Sequence, residues 1–162
     1  MRILYFDPTS LMFSNRYISA DQARYNKYEK WRATPTVPLW KLIPPDIVGL
    51  NKLREAAVYS GLKLFPLDSR YPRDFFINEG LISNDELAPE VKITVRLGSS
   101  DPLRRMLAHA EQLIAEWYVC GDMEASVLLE ACPNRYLTSA FGDGVNAELI
   151  TSIHRLRLDC RE

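Results

Sequence analysis

Two aspartates follow apolar runs in this sequence. The run ILYF ends at Asp7, and the run WYVCG ends at Asp122. If both runs are neighbouring strands of a parallel sheet, both carboxylates project into one crevice, because ligands bind outside the carboxyl ends of such strands. Neighbouring anions raise each other's pKa unless a cation lies between them, and carboxylate oxygens suit Mg²⁺. This spacing favours phosphoryl transfer, where positioning and charge neutralisation supply most of the catalysis.

Each aspartate also has a plainer interpretation. Asp7 precedes a proline and belongs to a residue type that commonly begins a turn. Asp122 is placed to cap a helix predicted directly after it. Capping and metal binding are compatible, so the elements that position the two side chains decide between the interpretations.

Strands alternate with helices along the chain. Apolar and alternating runs predict five strands, at 3–6, 62–67, 91–97, 117–122 and 135–140. Amphipathic spacing predicts helices at 46–60, 99–116, 123–132 and 145–158. This order predicts an α/β fold: a Rossmann-like, doubly wound, mainly parallel five-stranded sheet with helices on both faces.

The segment 8–45 is different, being polar, aromatic and rich in proline. Residues 19–32 predict a short helix capped by Ser19, with Gln22 completing a capping box. Residues 16–32 interleave basic and aromatic side chains, a pattern that fits local contact with single-stranded nucleic acid or with protein. The preferred alternative is a helix whose aromatics pack on the sheet while its cations stay in water.

Composition excludes several classes of protein. A length of 162 residues fits one domain at 1–162, and a net charge of −1 excludes a global basic field. Three scattered cysteines and two histidines do not suit a disulfide framework or a histidine zinc site. No apolar stretch reaches the roughly 20 residues of a membrane span, and the first apolar run is too short for a signal peptide. We therefore expect a cytoplasmic protein without membrane contact.

The order ILYFDPTS, YVCGDMEAS and YLTSAFGDGVNAELITSIHRL resembles the haloacid dehalogenase (HAD)-like superfamily of aspartate-nucleophile phosphatases. Within it, the chain resembles the HAD domain of Swiss Army Knife RNA-repair proteins. The resemblance covers 1–7 and about 46–158, and it makes 10–43 an insertion. It implies a phosphatase or phosphotransferase with a minimal cap domain or none, and a substrate that is a nucleic-acid end or another bulky phosphoester.

The resemblance also implies roles for single residues. Asp7 would be the nucleophile that forms an aspartyl-phosphate. Asp7, the carbonyl of Thr9, Asp122 and Glu124 would hold Mg²⁺. Thr9 stands where the family has a second acid, and a neutral hydroxyl cannot shuttle protons near pH 7.

The transferring phosphate would be held by a hydroxyl and a cation. The resemblance places Ser69 of the stretch LDSR as the hydroxyl, and Arg104 (or Arg105) as the cation that neutralises developing charge. Their plainer interpretations are a loop serine and a surface arginine near a helix start.

Two alternatives stay open. The departures at Thr9 and Ser69 fit a catalytically degenerate HAD-like binding or regulatory module. A flavodoxin-like or receiver-like domain also uses a strand-end aspartate with Mg²⁺, but it predicts a lysine at the end of a later strand, and none of the predicted strands ends in one.

Overall fold

A parallel sheet forms the centre of the protein. The computed structural model describes residues 1–93, 102–123, 131–137 and 140–158. Within these ranges the sheet has four strands in the order β2-β1-β3-β4. The strands are β1 (Arg2–Phe6), β2 (Lys63–Pro66), β3 (Glu116–Cys120) and β4 (Tyr136–Leu137).

The register aligns the ends of three strands. Phe6 pairs with Pro66 of β2 and with Cys120 of β3, both in parallel. The carboxyl ends of β2, β1 and β3 therefore lie side by side at one edge. The expectation that Asp7 and Asp122 follow neighbouring parallel strands is confirmed.

Helices cover both faces of the sheet. Successive residues of β1 point to opposite faces, so Phe6 lies in one buried cluster and Tyr5 in the other. Residues of the helices Ile47–Tyr59 and Ala147–His154 share the cluster of Phe6, and residues of the helix Pro102–Gln112 share that of Tyr5. The described helices are α1 (Pro8–Met12), α2 (Asn15–Ser19), α3 (Gln22–Ala33), α4 (Ile47–Tyr59), α5 (Arg73–Asn78), α6 (Pro102–Gln112) and α7 (Ala147–His154).

The sheet described here has four strands rather than the predicted five. In the predicted strand 91–97, residues 91–93 form no strand, and 94–97 lie outside the described residues. The outer edge of β2 instead meets Leu87, which forms an isolated parallel bridge with Leu64. Most of the predicted helix 123–132, including Glu124, also lies outside the described residues.

The predicted cap of the helix at 19–32 was wrong. Ser19 ends α2, and α3 begins after Asp21, whose carboxylate accepts the N–H of Arg24 at 3.0 Å. Aspartate is as strong an N-cap as serine, so local competition between two good caps decided the boundary.

The segment 10–43 meets the core at its two ends. Met12 and Ile43 are fully buried near its start and end, whereas none of the residues of α3, all of them described, is buried. Tyr28 and Trp31 of α3 are half-buried against the core. The other cations of α3 are exposed, but Arg24 is half-buried over the ring of Tyr17. None of the helices in the described ranges is long and apolar enough to cross a membrane.

Candidate active site

Three acidic side chains follow the three aligned strand ends. Asp7 comes directly after β1, Asp68 two residues after β2, and Asp122 two residues after β3. Asp68 was missed in the sequence, although the run LFPLD ends on an acid in the same way as ILYFD. That repeated pattern was the available signal.

Asp7 is held firmly by its backbone and loosely by its carboxylate. Its N–H donates to the carbonyl of Cys120 at 3.1 Å, which continues the β1–β3 pairing by one residue. The carboxylate caps α1, where Oδ2 accepts the N–H of Ser10 at a long 3.4 Å. No hydrogen bond from another described residue reaches Oδ1. The carboxylate therefore keeps lone pairs for a ligand.

Burial raises the pKa of Asp7, and the nearby Asp68 carboxylate raises it further. Hydrogen bonds from Ser10 and the charge of Arg70 act in the opposite direction without cancelling the rise. The ionised form of Asp7 is thus held at a cost, which an approaching positive charge or electrophile would relieve.

Asp68, Arg70 and Thr9 form one hydrogen-bonded group beside Asp7. Arg70 donates through Nε (3.1 Å) and Nη2 (2.7 Å) to the two carboxylate oxygens of Asp68. Thr9 Oγ1 donates to Asp68 Oδ2 at 2.9 Å and accepts from Arg70 Nη2 at 3.2 Å. Burial alone would raise the pKa of Asp68, but the bonds from Arg70 and Thr9 lower it. Asp68 is therefore ionised and paired.

A pocket of about 260 Å³ opens above these groups. Its charged lining consists of the carboxylates of Asp7 and Asp68 and the guanidinium groups of Arg70 and Arg105. Arg70 Nη1 makes no hydrogen bond to a described residue, and neither does Arg105. The pocket therefore offers unused donors to an anion. Its full lining is Asp7, Leu67, Asp68, Ser69, Arg70, Pro102, Arg105 and Met123.

The structure brings together some of the residues expected from the sequence. Asp7 and Ser69 both line the pocket. The cation from α6 at the pocket is Arg105, while Arg104 is exposed one position earlier and is not part of the lining. Sequence analysis missed Arg70, which follows the predicted Ser69 by one residue.

Asp122 lies at the same edge but is turned toward a neighbouring loop. Its N–H donates to Ser10 Oγ at 3.0 Å, and its Oδ2 accepts the N–H of Gly142 at 2.9 Å. Ser10 thus contacts both aspartates, since its own N–H reaches Asp7. Asp122 is not among the residues that line the pocket.

The predicted magnesium ligands form only part of a coordination set. Within the described residues, neither Asp7 Oδ1 nor Asp122 Oδ1 accepts a hydrogen bond. The carbonyl of Thr9 already accepts the N–H of Phe13 at 3.0 Å, and Glu124 lies outside the described residues. Within the described ranges no group of three histidine, cysteine, aspartate or glutamate side chains is arranged to hold a metal ion.

No protein-family model, curated protein or solved structure matches this chain. The likeness to HAD-like phosphatases stays a prediction based on residues and element order.

Proposed function

We propose that this protein is a phosphatase or phosphotransferase in which Asp7 is the nucleophile. The observation that supports this most is a half-buried carboxylate at the end of the central strand β1, with one oxygen that accepts no hydrogen bond from the described residues, in a pocket that also presents Arg70 and Arg105. A nucleophile with cations beside it is what transfer of a phosphoryl group requires.

The reaction has two steps. An Asp7 carboxylate oxygen attacks phosphorus, and the bond from phosphorus to the leaving oxygen breaks, which gives an aspartyl-phosphate and a leaving group that takes a proton from water. Water, or another acceptor hydroxyl, then attacks phosphorus and restores the Asp7 carboxylate. Arg70 and Arg105 neutralise the phosphoryl oxygens, and the Ser69 hydroxyl donates to one of them.

Thr9 limits the leaving groups that the site can process. Its hydroxyl is bound to Asp68 and Arg70, and it cannot act as a carboxylic acid that protonates the departing oxygen. We therefore expect faster transfer from phosphoesters with good leaving groups than from alkyl phosphates.

We propose Mg²⁺ as the cofactor, with Asp7 and Asp122 as ligands. The raised pKa of Asp7 supports this, because a bound cation would stabilise its ionised form. Magnesium would also neutralise charge on the phosphate.

We further propose that the phosphate belongs to a larger molecule. Ser69, Arg70 and Arg105 are exposed, so the pocket is open on the side where a nucleic-acid end or another bulky phosphoester would approach. Residues 16–32 are proposed as a local contact for nucleic acid or protein, through the exposed cations of α3.

A second candidate is a phosphate-binding module without turnover. The ion pair between Asp68 and Arg70 favours it, because Asp68 is already paired with Arg70 and Thr9. Among the described lining residues, no acid other than Asp7 is then left to assist the leaving group. In this alternative Arg105 and Arg70 Nη1, which donates to no described residue, bind phosphate, and Asp7 stays unmodified.

Asp7→Asn tests the proposal directly. Release of phosphate from p-nitrophenyl phosphate, measured with and without Mg²⁺, should fall by roughly 10³-fold or more in the variant. The matched control is Asp46→Asn, because Asp46 also caps a helix, accepting the N–H of Gly49 at 3.0 Å, but does not line the pocket. Full activity in Asp7→Asn would refute the nucleophile.

Beryllofluoride distinguishes the enzyme from the module. This phosphate analogue forms an adduct on an aspartate nucleophile, so the enzyme should show a rise in Tm that Asp7→Asn abolishes. Binding of inorganic phosphate without turnover and without that rise would favour the module.

A further inference from the structure

A second pocket adjoins the candidate active site. It encloses about 220 Å³ and shares one wall with the first pocket. Arg105 lies on that wall, so one cation faces both spaces. The residues common to both linings are Leu67, Asp68, Ser69, Pro102 and Arg105.

Away from the shared wall the lining of this second pocket has an aromatic and apolar wall, together with the charged side chains of Arg73 and Glu90. Phe65 lies against the ring of His109 with centroids 4.1 Å apart, and Tyr5 meets Phe65 edge-on at 5.9 Å. Other apolar parts of the lining are Pro66, Pro72, Ile93 and Met106.

The polar atoms of this aromatic wall are already satisfied. A backbone carbonyl only accepts hydrogen bonds, so the contact of 2.8 Å to Pro89 O places a proton on His109 Nε2. His109 Nδ1 then accepts the hydroxyl of Tyr5 at 2.7 Å. Burial lowers the pKa of His109 and keeps the ring neutral. The wall requires no polar partner from a ligand, which suits a flat apolar ring.

The size of the two pockets points to a substrate in two parts. At about 220 and 260 Å³ each pocket is smaller than the roughly 300–1,000 Å³ of a typical ligand site. Charged groups line much of the first pocket, the second adds an aromatic wall, and the two meet at Arg105.

Resting on the proposed function, we propose that the second pocket binds an aromatic ring carried by the phosphoester. The phosphate lies against Asp7, Arg70 and Arg105, and the ring lies beside Phe65. The substrate class is an aromatic phosphoester, in which the ring is attached directly or through a sugar.

Binding of non-reacting ligands tests this without turnover. In Asp7→Asn protein, phenylphosphonate is compared with methylphosphonate, and adenosine monophosphate with ribose 5-phosphate, by calorimetry. We expect about a tenfold preference, equivalent to about 1.4 kcal/mol, for the aromatic member of at least one pair. The preferred pair shows whether the ring is directly attached or joined through a sugar.

Variants of Phe65 assign the preference to the second pocket. Phe65→Leu removes a flat face and should reduce the preference about fivefold, whereas Phe65→Tyr keeps the ring and should retain it. Phe75→Leu is the matched control, because Phe75 packs against Trp40 and Phe76 outside this lining. Equal affinity within both pairs, no binding of any ligand, or an unchanged preference in Phe65→Leu would overturn the inference.

Failure of the proposed function is distinguishable from failure of this inference. If wild-type protein releases no phosphate but the aromatic preference holds, the pocket assignment stands and the catalytic proposal falls. If phosphate is released equally fast from phenyl phosphate in wild type and in Phe65→Leu, and no preference is measured, the pocket assignment alone falls.

Discussion

At the scale of single residues, Asp7 combines burial with negative charge. Its raised pKa means that the folded protein binds this proton more tightly than the unfolded chain does. Stability therefore falls as the pH rises from the ordinary 3.8 through the higher folded value, and the penalty persists at pH 7. The ionised carboxylate of Asp7 therefore lowers the stability of the folded protein at neutral pH.

Asp7→Asn should accordingly stabilise the protein while it removes activity. Asparagine keeps the cap of α1 and loses the buried charge, so we expect a gain on the order of 1 kcal/mol at pH 7 in the absence of metal. Urea denaturation measures this, and the difference should shrink at a pH below 3.8. If Asp7→Asn is less stable than wild type at neutral pH, the ionised Asp7 carboxylate does not destabilise the folded protein, and the prediction is wrong.

The contribution of Glu86 to stability changes with pH in the opposite direction to that of Asp7. Two bonds from Arg54, at 2.6 and 2.9 Å, lower the pKa of Glu86 from 4.5 to about 2. The stabilisation is complete above pH 4.5 and is lost as the pH falls toward 2. With allowance for solvent screening, Glu86→Gln should cost about 1–2 kcal/mol at pH 7 and much less near pH 2.

The control for Glu86→Gln is Glu79→Gln, which changes an exposed glutamate at the end of α5. Its effect on the free energy of unfolding should be small at every pH. Parallel pH profiles for the two variants would show that the pair with Arg54 contributes no measurable stability.

At the scale of elements, the contact between β1 and β3 positions the site. Gly121 follows β3 with φ +118°, and a Cβ there would lie 2.8 Å from Asp7 Cβ and 3.2 Å from Asp7 N. Only a residue without a side chain allows the two strand ends to approach this closely. The close approach holds the Asp7 backbone in place.

Gly121→Ala should therefore disturb both the fold and the pocket. We expect a loss of about 2–4 kcal/mol, from the positive φ and the clash together, and weaker phosphonate binding. Gly80→Ala is the matched control, since Gly80 also has a positive φ, +68°, but nothing lies within 4 Å of its added Cβ. It should cost about 1 kcal/mol and leave binding unchanged. Equal losses in both variants would argue against the close approach.

Prediction from sequence succeeded for elements whose apolar pattern matches their packing. In α6, Leu103, Met106 and Ala110 recur on one face, and all three are buried against the sheet. α3 has no such stripe, so its start depended on a local contest between caps that spacing does not resolve.

At the scale of the whole molecule, charge is unevenly distributed along the chain. Residues 16–32 carry five basic and two acidic side chains, whereas the entire chain has a net charge of −1. The remainder is therefore net negative. Outside the pocket, we expect local contact with a polyanion at α3, where Lys27, Lys30 and Arg32 are exposed.

Replacement of Lys27, Lys30 and Arg32 by alanine tests the nucleic-acid hypothesis. Alanine favours helix, so α3 should stay folded while binding to single-stranded oligonucleotide weakens. The slope of log K against log salt should fall by about 0.7 for each lost phosphate contact. Lys52, Lys92 and Arg155, replaced together, are the control elsewhere on the surface. If both triple variants bind the oligonucleotide equally well, α3 does not contact nucleic acid. Contact with protein then remains as the proposed role of this helix.

The types of residue at the candidate site could be identified without coordinates. Their chemistry follows from the side chains, and apolar runs in the sequence indicate where the strands end. That reasoning identified Asp7, Ser69 and an arginine of α6. It did not identify Asp68 or Arg70, since their importance depends on β2 lying next to β1, and strand neighbours are set by tertiary pairing.

Taken alone, the sequence determined that strands alternate with helices, that acids follow the strands, and that the first strand ends on Asp7. Those properties are local, and each is encoded within a few residues. Tertiary structure decided which ends meet: Asp68 and Arg70 flank Asp7, Asp122 turns to Gly142, and Arg105 rather than Arg104 reaches the pocket. The physical reason is that the register of parallel strands and the rotation of α6 arise from packing of the entire core, which residue spacing does not specify.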